Sequence, residues 1–287
     1  MPAIFKPRAG FENAGKLYIS CVESSQQCFS SGLKRSRERK GQPVLRTIRL
    51  YRKRTRAWPS PSVATKTHTM HLNSDYSQRI VLNHHDFDWV GSPQTGVQRR
   101  MLDRNGGEVA KATSIVRYEP GAKFTSHGHE LGEEILVLEG VFSDEHGDYP
   151  AGTYMMNPPG SSHAPHSDTG CLLFVKLRHL GPEQQQQEVV DTRKAEWYQG
   201  MVPGLTVMPL MRQGLGSTLV RWAPQTYFNP HRHVGGEEIF VVDGVFEDEH
   251  GRYPSGSWIR SPHMSVHKPF SQEGCTIFVK TGHLLDA

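Results

Sequence analysis

Long hydrophobic runs are missing from this chain. No stretch of about 18 apolar residues occurs, so no transmembrane helix is expected. The opening segment, MPAIFKPRAGFENAGKLYIS, lacks the apolar core and small-residue cleavage site of a secretory signal. A cytoplasmic location is therefore expected. Cysteine is scarce: four residues, Cys21, Cys28, Cys171 and Cys275, none in a C-x-x-C pair. Cys171 and Cys275 sit in the apolar runs GCLLFVK and GCTIFVK, which points to buried free thiols. A disulfide between them would require the two equivalent strands to abut. Helical periodicity is almost absent. No nucleophile elbow, P-loop or dinucleotide fingerprint is present, which removes the enzyme classes that those motifs mark.

Acidic residues are nearly absent from the head of the chain. Residues 1–69 hold 15 Lys+Arg against 3 Asp+Glu, while the remainder holds 18 against 26. The formal net charge of +4 thus averages a basic head and an acidic body. KRSRERK (34–40) and RLYRKRTR (49–56) are dense in like charge, and residues 1–69 show no sustained apolar period. A disordered head is expected. Three readings of it compete. It is an over-long gene model with translation starting at Met70, an organelle transit segment, or a nucleic-acid-binding arm. The first is favoured, because composition changes at once from MHLNSDYSQRIVLN onward. Nothing interleaves aromatics with the basic residues, so nucleic acid is not an expected partner.

What is present from residue 75 is a series of short strand-like runs broken by Gly, Pro, Asn and Asp. ATSIVRYEP (112–120), KFTSHGH (123–129), EEILVLEGVFSD (133–144), GTYMMNPPG (152–160) and CLLFVKLRHL (171–180) are examples. Alternation and turn spacing predict an all-β sandwich or barrel. The pattern then recurs. GVFSDEHGDYPAGTYMMNPPGSSHAPHSDTGCLLFVKLRHL (140–180) aligns without gaps on GVFEDEHGRYPSGSWIRSPHMSVHKPFSQEGCTIFVKTGHL (244–284), with about half the positions identical. TSIVRYEP (113–120) likewise matches STLVRWAP (217–224). This is one duplicated domain of about 100 residues. The expected division is 70–181 and 182–287, with the Gln-rich stretch from 181 to 200 read as a linker.

HGHELGEEILVLEG (127–140) and HRHVGGEEIFVVDG (231–244) carry the chemistry. Residues i and i+2 of a strand share a face, so His127 and His129 project together, as do His231 and His233. A turn then delivers Glu133 or Glu237 at the start of the next strand. A Pro-containing hairpin, NPPGSSH or SPHMSVH, returns His163 or His267. Each copy would gather three imidazoles and one carboxylate. That donor set suits Fe(II) or Zn(II), and Mn(II) through the carboxylate. Four protein ligands leave positions open on an octahedral ion, whereas a closed tetrahedral set would be structural. His146 and His250, in acidic DEHG turns, read as solvated. His179 and His283, at the end of each repeat, read as packing residues.

These residues also carry a resemblance. G121-AKFTS-HGH-ELG-E133-EILVLE-G140 and G152-TYMMN-PPG-SS-H163 are similar to the two cupin motifs, G-x5-H-x-H-x3-E-x6-G and G-x5-P-x-G-x2-H. The second copy departs at two turn positions, with Gln225 at the place of Gly121 and Met264 at that of Gly160. Residues 75–287 resemble, twice over, the cupin domain of the anti-sigma factor ChrR and its relatives. Those relatives include acetylacetone-cleaving and dihydroxyacetophenone dioxygenases. The resemblance implies two tandem RmlC-like jelly rolls, each with a metal inside the barrel. It assigns the ligands as His127, His129, Glu133 and His163, and as His231, His233, Glu237 and His267. ChrR carries a separate upstream zinc domain, but here Cys21 and Cys28 have no nearby His. The ketone-cleaving relatives hold Fe(II) with three histidines, whereas this chain has a Glu in each copy as well. The expected function is a non-haem metal-dependent oxygenase acting on a small carbonyl or diketone compound. The alternative is a zinc-binding sensor without turnover. Monomer and homodimer remain equally open.

Overall fold

A computed structural model describes residues 70–211 and 216–285. The basic head, with Cys21 and Cys28, lies outside them. Among the described residues regular structure is all strand, apart from one 3-10 turn at His84–Asp86. In the first repeat, Val97–Gly106, Ala110–Tyr118, Cys171–Leu177, Glu133–Asp144 and Thr153–Asn157 pair antiparallel in that order. The second repeat reproduces the order with Leu205–Pro209, Ser217–Trp222, Cys275–Thr281, Glu237–Asp248 and Ser257–Ser261. The two halves are tandem jelly rolls. Cys171 and Cys275 are buried and unpaired.

The longest strand of each repeat turns a corner. The first half of Glu133–Asp144 pairs with Thr153–Asn157, and the second half pairs with Gly147–Pro150. Gly140 sits at the bend with φ +70, a left-handed conformation that glycine adopts without penalty. The carbonyl of Gly170 packs where a side chain would begin. Gly244 repeats the arrangement, with φ +74, against Gly274.

Each repeat lends an edge strand to the other. Ile80–Asn83 precedes the first barrel in sequence but pairs with Ser257–Ser261 of the second, in the register Asn83 to Ser257. Glu188–Asp191 pairs with Thr153–Asn157 of the first, Asp191 opposite Thr153. The stretch read as a linker therefore contains a strand, and Gln184 within it is buried. Its polar composition hides a four-residue edge strand whose stability comes from backbone pairing. Covering edges in this way leaves fewer unpaired backbone groups open to aggregation.

Strand alternation puts one face of each large sheet into its own barrel and the other face into a shared junction. One apolar cluster spans both repeats and contains Leu136, Tyr154 and Phe174 together with Phe240, Trp258 and Phe278. Phe174 stacks on Phe240 with ring centroids 4.7 Å apart. Charged residues are buried within this junction in matched positions. Lys176 Nζ lies 2.6 Å from Glu238 Oε2, and Lys280 Nζ lies 2.8 Å from Glu134 Oε2. The Tyr154 hydroxyl donates to Glu134 Oε1 at 2.9 Å, and Trp258 Nε1 donates to Glu238 Oε1 at 3.0 Å.

Candidate metal centre

The ligand-bearing strands form small two-stranded sheets of their own. His127–His129 pairs with Ser161–His163, placing His127 opposite His163. His231–His233 pairs with Ser265–His267, placing His231 opposite His267. The turn after each first strand starts Glu133–Asp144 or Glu237–Asp248, so the carboxylate enters from the neighbouring strand. Period-2 alternation separates Glu133 from Glu134: the first faces the histidines, the second faces the junction.

The turn before Ser265–His267 keeps a left-handed backbone although it lacks glycine. Met264 has φ +65, close to Gly160 at φ +83 in the first repeat. Gln225 has φ +59 where Gly121 has φ +80. A Cβ at Gly121 or Gly160 would meet nothing within 4 Å, so the second copy bears only the backbone penalty. A left-handed non-glycine residue costs about 1–2 kcal/mol, partly offset by the greater unfolded freedom of glycine. Met264→Gly is therefore expected to stabilise the protein by about 0.5–1 kcal/mol in urea denaturation. No gain, or a loss, would show that the exposed Met264 side chain contributes packing that the φ angle conceals.

In the second repeat, ligand atoms of His231, His233, Glu237 and His267 all lie within 4.8 Å of one another. Glu237 Oε2 is 3.5 Å from His233 Nε2 and 3.6 Å from His267 Nε2. In the first repeat the group that closes to 4.8 Å is His127, His129 and His163. Glu133 is outside that group, although its Oε2 lies 3.3 Å from His129 Nε2 and 3.5 Å from His163 Nε2. The outer nitrogens are fixed from behind. His127 Nδ1 is 3.0 Å from the Thr125 carbonyl, and His231 Nδ1 is 3.0 Å from that of Asn229. A carbonyl only accepts, so Nδ1 carries the hydrogen and Nε2 presents a lone pair to the cluster. Asp144 Oδ2 contacts His163 Nδ1 at 3.3 Å, and Asp248 Oδ2 lies 3.7 Å from His267 Nδ1.

Burial sets the protonation. It lowers His129 to about 4, with help from His127, and His233 to about 3, with help from His267 and His231. Burial also lowers His163 and His231. Burial raises Glu133 and Glu237. His267 is the exception: burial pulls it down, but Glu237 and Asp248 outweigh that and raise it. His129 and His233 are thus neutral at pH 7 and offer lone pairs without first losing a proton.

These donors fit a metal by a simple accounting of polar atoms. His233 Nε2, Glu237 Oε2 and His267 Nε2 are buried without a hydrogen-bond partner, as is His129 Nε2. Buried polar groups left unmade cost about 1–3 kcal/mol each. A divalent ion among them would satisfy several at once. Aromatic rings wall both clusters, with Phe124 5.3 Å from His127 and Phe228 4.9 Å from His231. His146 and His250 are exposed in their turns, as expected. His166, three residues after the last ligand of the first copy, does not join its cluster, and Lys268, just after the last ligand of the second, is exposed.

Sequence reasoning missed a third grouping. His179, Glu238 and His283 bring ligand atoms within 4.8 Å of one another at the junction. Glu238 is already neutralised there by Lys176, and it also accepts from His283. The His179 ring lies 5.6 Å from that of His283, and neither of its nitrogens has a hydrogen-bond partner among the described residues. The available signal was the charged FVK and EE in both otherwise apolar strands.

Comparison with known proteins agrees with this fold. The family model of the ChrR cupin-like domain matches residues 77–181 and again 185–285. No curated protein matches the chain. Among solved structures, a proposed dioxygenase from Nostoc punctiforme is similar at TM-score 0.58 and 14% identity, covering 74% of this chain and 85% of its own. Ylba from Escherichia coli is similar at TM-score 0.57 and 13% identity, covering 75% and 94%. The bacterial pirin YhhW from Escherichia coli, in complex with nickel(II), is similar at TM-score 0.52 and 12% identity, covering 71% and 98%. Likeness at such identities concerns the fold alone. No helix among the described residues is long and apolar enough to cross a membrane. With two matched copies spanning most of its length, the chain belongs to the ChrR cupin-like family.

Proposed function

We propose that this protein is a non-haem metal-dependent oxygenase acting on a small carbonyl or diketone compound. His127, His129, Glu133 and His163 would hold one divalent ion, and His231, His233, Glu237 and His267 a second. Fe(II) is the ion that fits the reaction, with Zn(II) and Mn(II) fitting the donors. The observation that carries the reading is the convergence of buried, unpartnered His233 Nε2, Glu237 Oε2 and His267 Nε2. Bound Fe(II) would supply Lewis acidity and an electron for O₂. The chain's own residues do the rest. Thr125 and Asn229 orient the outer histidines, and burial keeps inner imidazoles neutral. Phe124, Phe142, Phe228 and Phe246 exclude water around them.

A second reading, a zinc-holding sensor without turnover, is favoured by the four donors of the second cluster, which a tetrahedral ion fills completely. The two readings separate on oxygen consumption. Protein reconstituted anaerobically with Fe(II) and mixed with acetylacetone should consume O₂ and diketone together, and His163→Ala should abolish it. Absence of uptake across a panel of β-diketones and hydroxyketones, with tightly held zinc, would overturn the oxygenase reading in favour of the sensor.

A further inference from the structure

The two clusters share four ligand positions but not their surroundings. At position 157 the first repeat has Asn, and its Nδ2 donates to Glu133 Oε2 at 3.1 Å. Gln187 Nε2 donates in turn to Asn157 Oδ1 at 2.9 Å, which fixes the face that the Asn amide turns to the carboxylate. The equivalent of Asn157 in the second repeat is Ser261, too short to reach as Asn157 does. Glu237 Oε2 accordingly has no hydrogen-bond partner. Gln187 belongs to the exchanged segment, immediately before Glu188–Asp191. Register places Arg79, immediately before Ile80–Asn83, at the equivalent point of the other exchanged segment. Arg79 does something different. Its Nη2 donates to Asp248 Oδ2 at 2.9 Å and to the Tyr253 hydroxyl at 2.8 Å, leaving Glu237 alone.

The consequence follows from which atoms still need a partner. Glu133 Oε2 is already satisfied by an amide, so a cation gains less by taking it. Glu237 Oε2, His233 Nε2 and His267 Nε2 all lack a hydrogen-bond partner among the described residues, whereas in the first cluster only His129 Nε2 does. The rings differ in the same sense. Histidine ring centroids are 4.6 to 4.8 Å apart in the second cluster and 4.9 to 5.4 Å apart in the first.

We propose that the two centres are unequal, and that Asn157, held by Gln187 from the other repeat, is the positioning residue that makes them so. The second centre is a four-donor site that fills first and holds its ion tightly. The first is a three-histidine site whose Glu133 is shared with the Asn157 amide, weaker in affinity and with one more open position. It is therefore the centre suited to a bidentate carbonyl ligand. This inference rests on the metal reading above and adds which of the two sites is the reactive one.

The test uses the full chain, stripped of metal and titrated with Zn(II) against a competing chromophoric chelator. Two classes of site should appear, separated by about tenfold or more, the range that outer-shell partners typically control. His233→Ala should remove the tighter class. In that background, Asn157→Ser, which installs the residue of the second repeat, should tighten the remaining site, against the usual loss on removing an outer-shell partner. Gln187→Ala, at an exposed position, should move affinity the same way by a smaller factor. Two sites of equal affinity, unmoved by Asn157→Ser, would overturn the inequality while leaving the metal reading intact. Weakening by Asn157→Ser would overturn it differently, showing that the amide presents Glu133 to the ion. Failure of either cluster to bind Zn(II) at all would sink the metal reading first and this inference with it.

Discussion

Lys176→Met is expected to destabilise the protein by about 3–5 kcal/mol. Lys176 and Glu238 are both buried, with side-chain exposures of 0% and 1%, in the junction between the repeats. The charged partner of Lys176 cannot follow it into water. Glu238 would keep Trp258 and His283 as donors but lose its neutralising cation. Its carboxylate is held well below its ordinary range: burial opposes ionisation, but Lys176 and His283 outweigh burial. The measurement is urea unfolding followed by tryptophan fluorescence, Trp258 being a direct reporter. Adding Glu238→Gln should recover much of the loss, since removing both charges is far less costly than removing one. A loss near or below about 1 kcal/mol, the range of exposed ion pairs, would show that the junction admits water.

Gly140→Ala and Gly244→Ala are expected to be more damaging still, at about 4 kcal/mol or more each, enough to leave little folded protein. Two costs add. Backbone φ at these corners is +70 and +74, which a residue with a Cβ adopts only at about 1–2 kcal/mol. The new methyl would also lie 2.1 Å from the Gly170 carbonyl oxygen in one case and 2.2 Å from that of Gly274 in the other. Both obstacles are backbone carbonyls just before the strands Cys171–Leu177 and Cys275–Thr281, held by the amides of Val141 and Val245, so neither can rotate aside. Gly121→Ala and Gly160→Ala are the controls. They share a positive φ but meet nothing within 4 Å, and should cost only about 1 kcal/mol. Soluble yield and thermal midpoints of the four variants read the contrast. Equal, mild effects at all four positions would mean that the corner does not need close backbone approach.

The parts of this molecule that were legible in the sequence are those fixed by local spacing. H-x-H on a strand, a short turn to Glu133, and a Pro-containing hairpin to His163 dictate one another's geometry, and the repeat at His231 gave a second instance. The strand exchange was not legible. Ile80–Asn83 and Glu188–Asp191 are four residues long and flanked by polar sequence, and their partners are more than a hundred residues distant in one case. The buried Lys176 and Lys280 were hidden because a lysine near a strand's end ordinarily reaches solvent. Only the packing of a second sheet encloses them. Asn157 escaped notice because its role depends on Gln187, delivered by a segment that composition marks as a linker. Period-2 alternation did contain one usable hint. Two adjacent glutamates in an apolar strand, Glu133 and Glu134, must face opposite ways, so both faces of that strand had to be polar somewhere.

The most direct test of the account is metal content per chain, measured by elemental mass spectrometry on protein purified without chelators or a nickel column. Metal binding is predicted at two ions per chain, with His129→Ala and His233→Ala each removing one while the fold is retained. A chain free of metal after purification and after reconstitution with Fe(II), Zn(II) or Mn(II) would contradict it, and would leave the convergent buried histidines as mere features of the jelly roll.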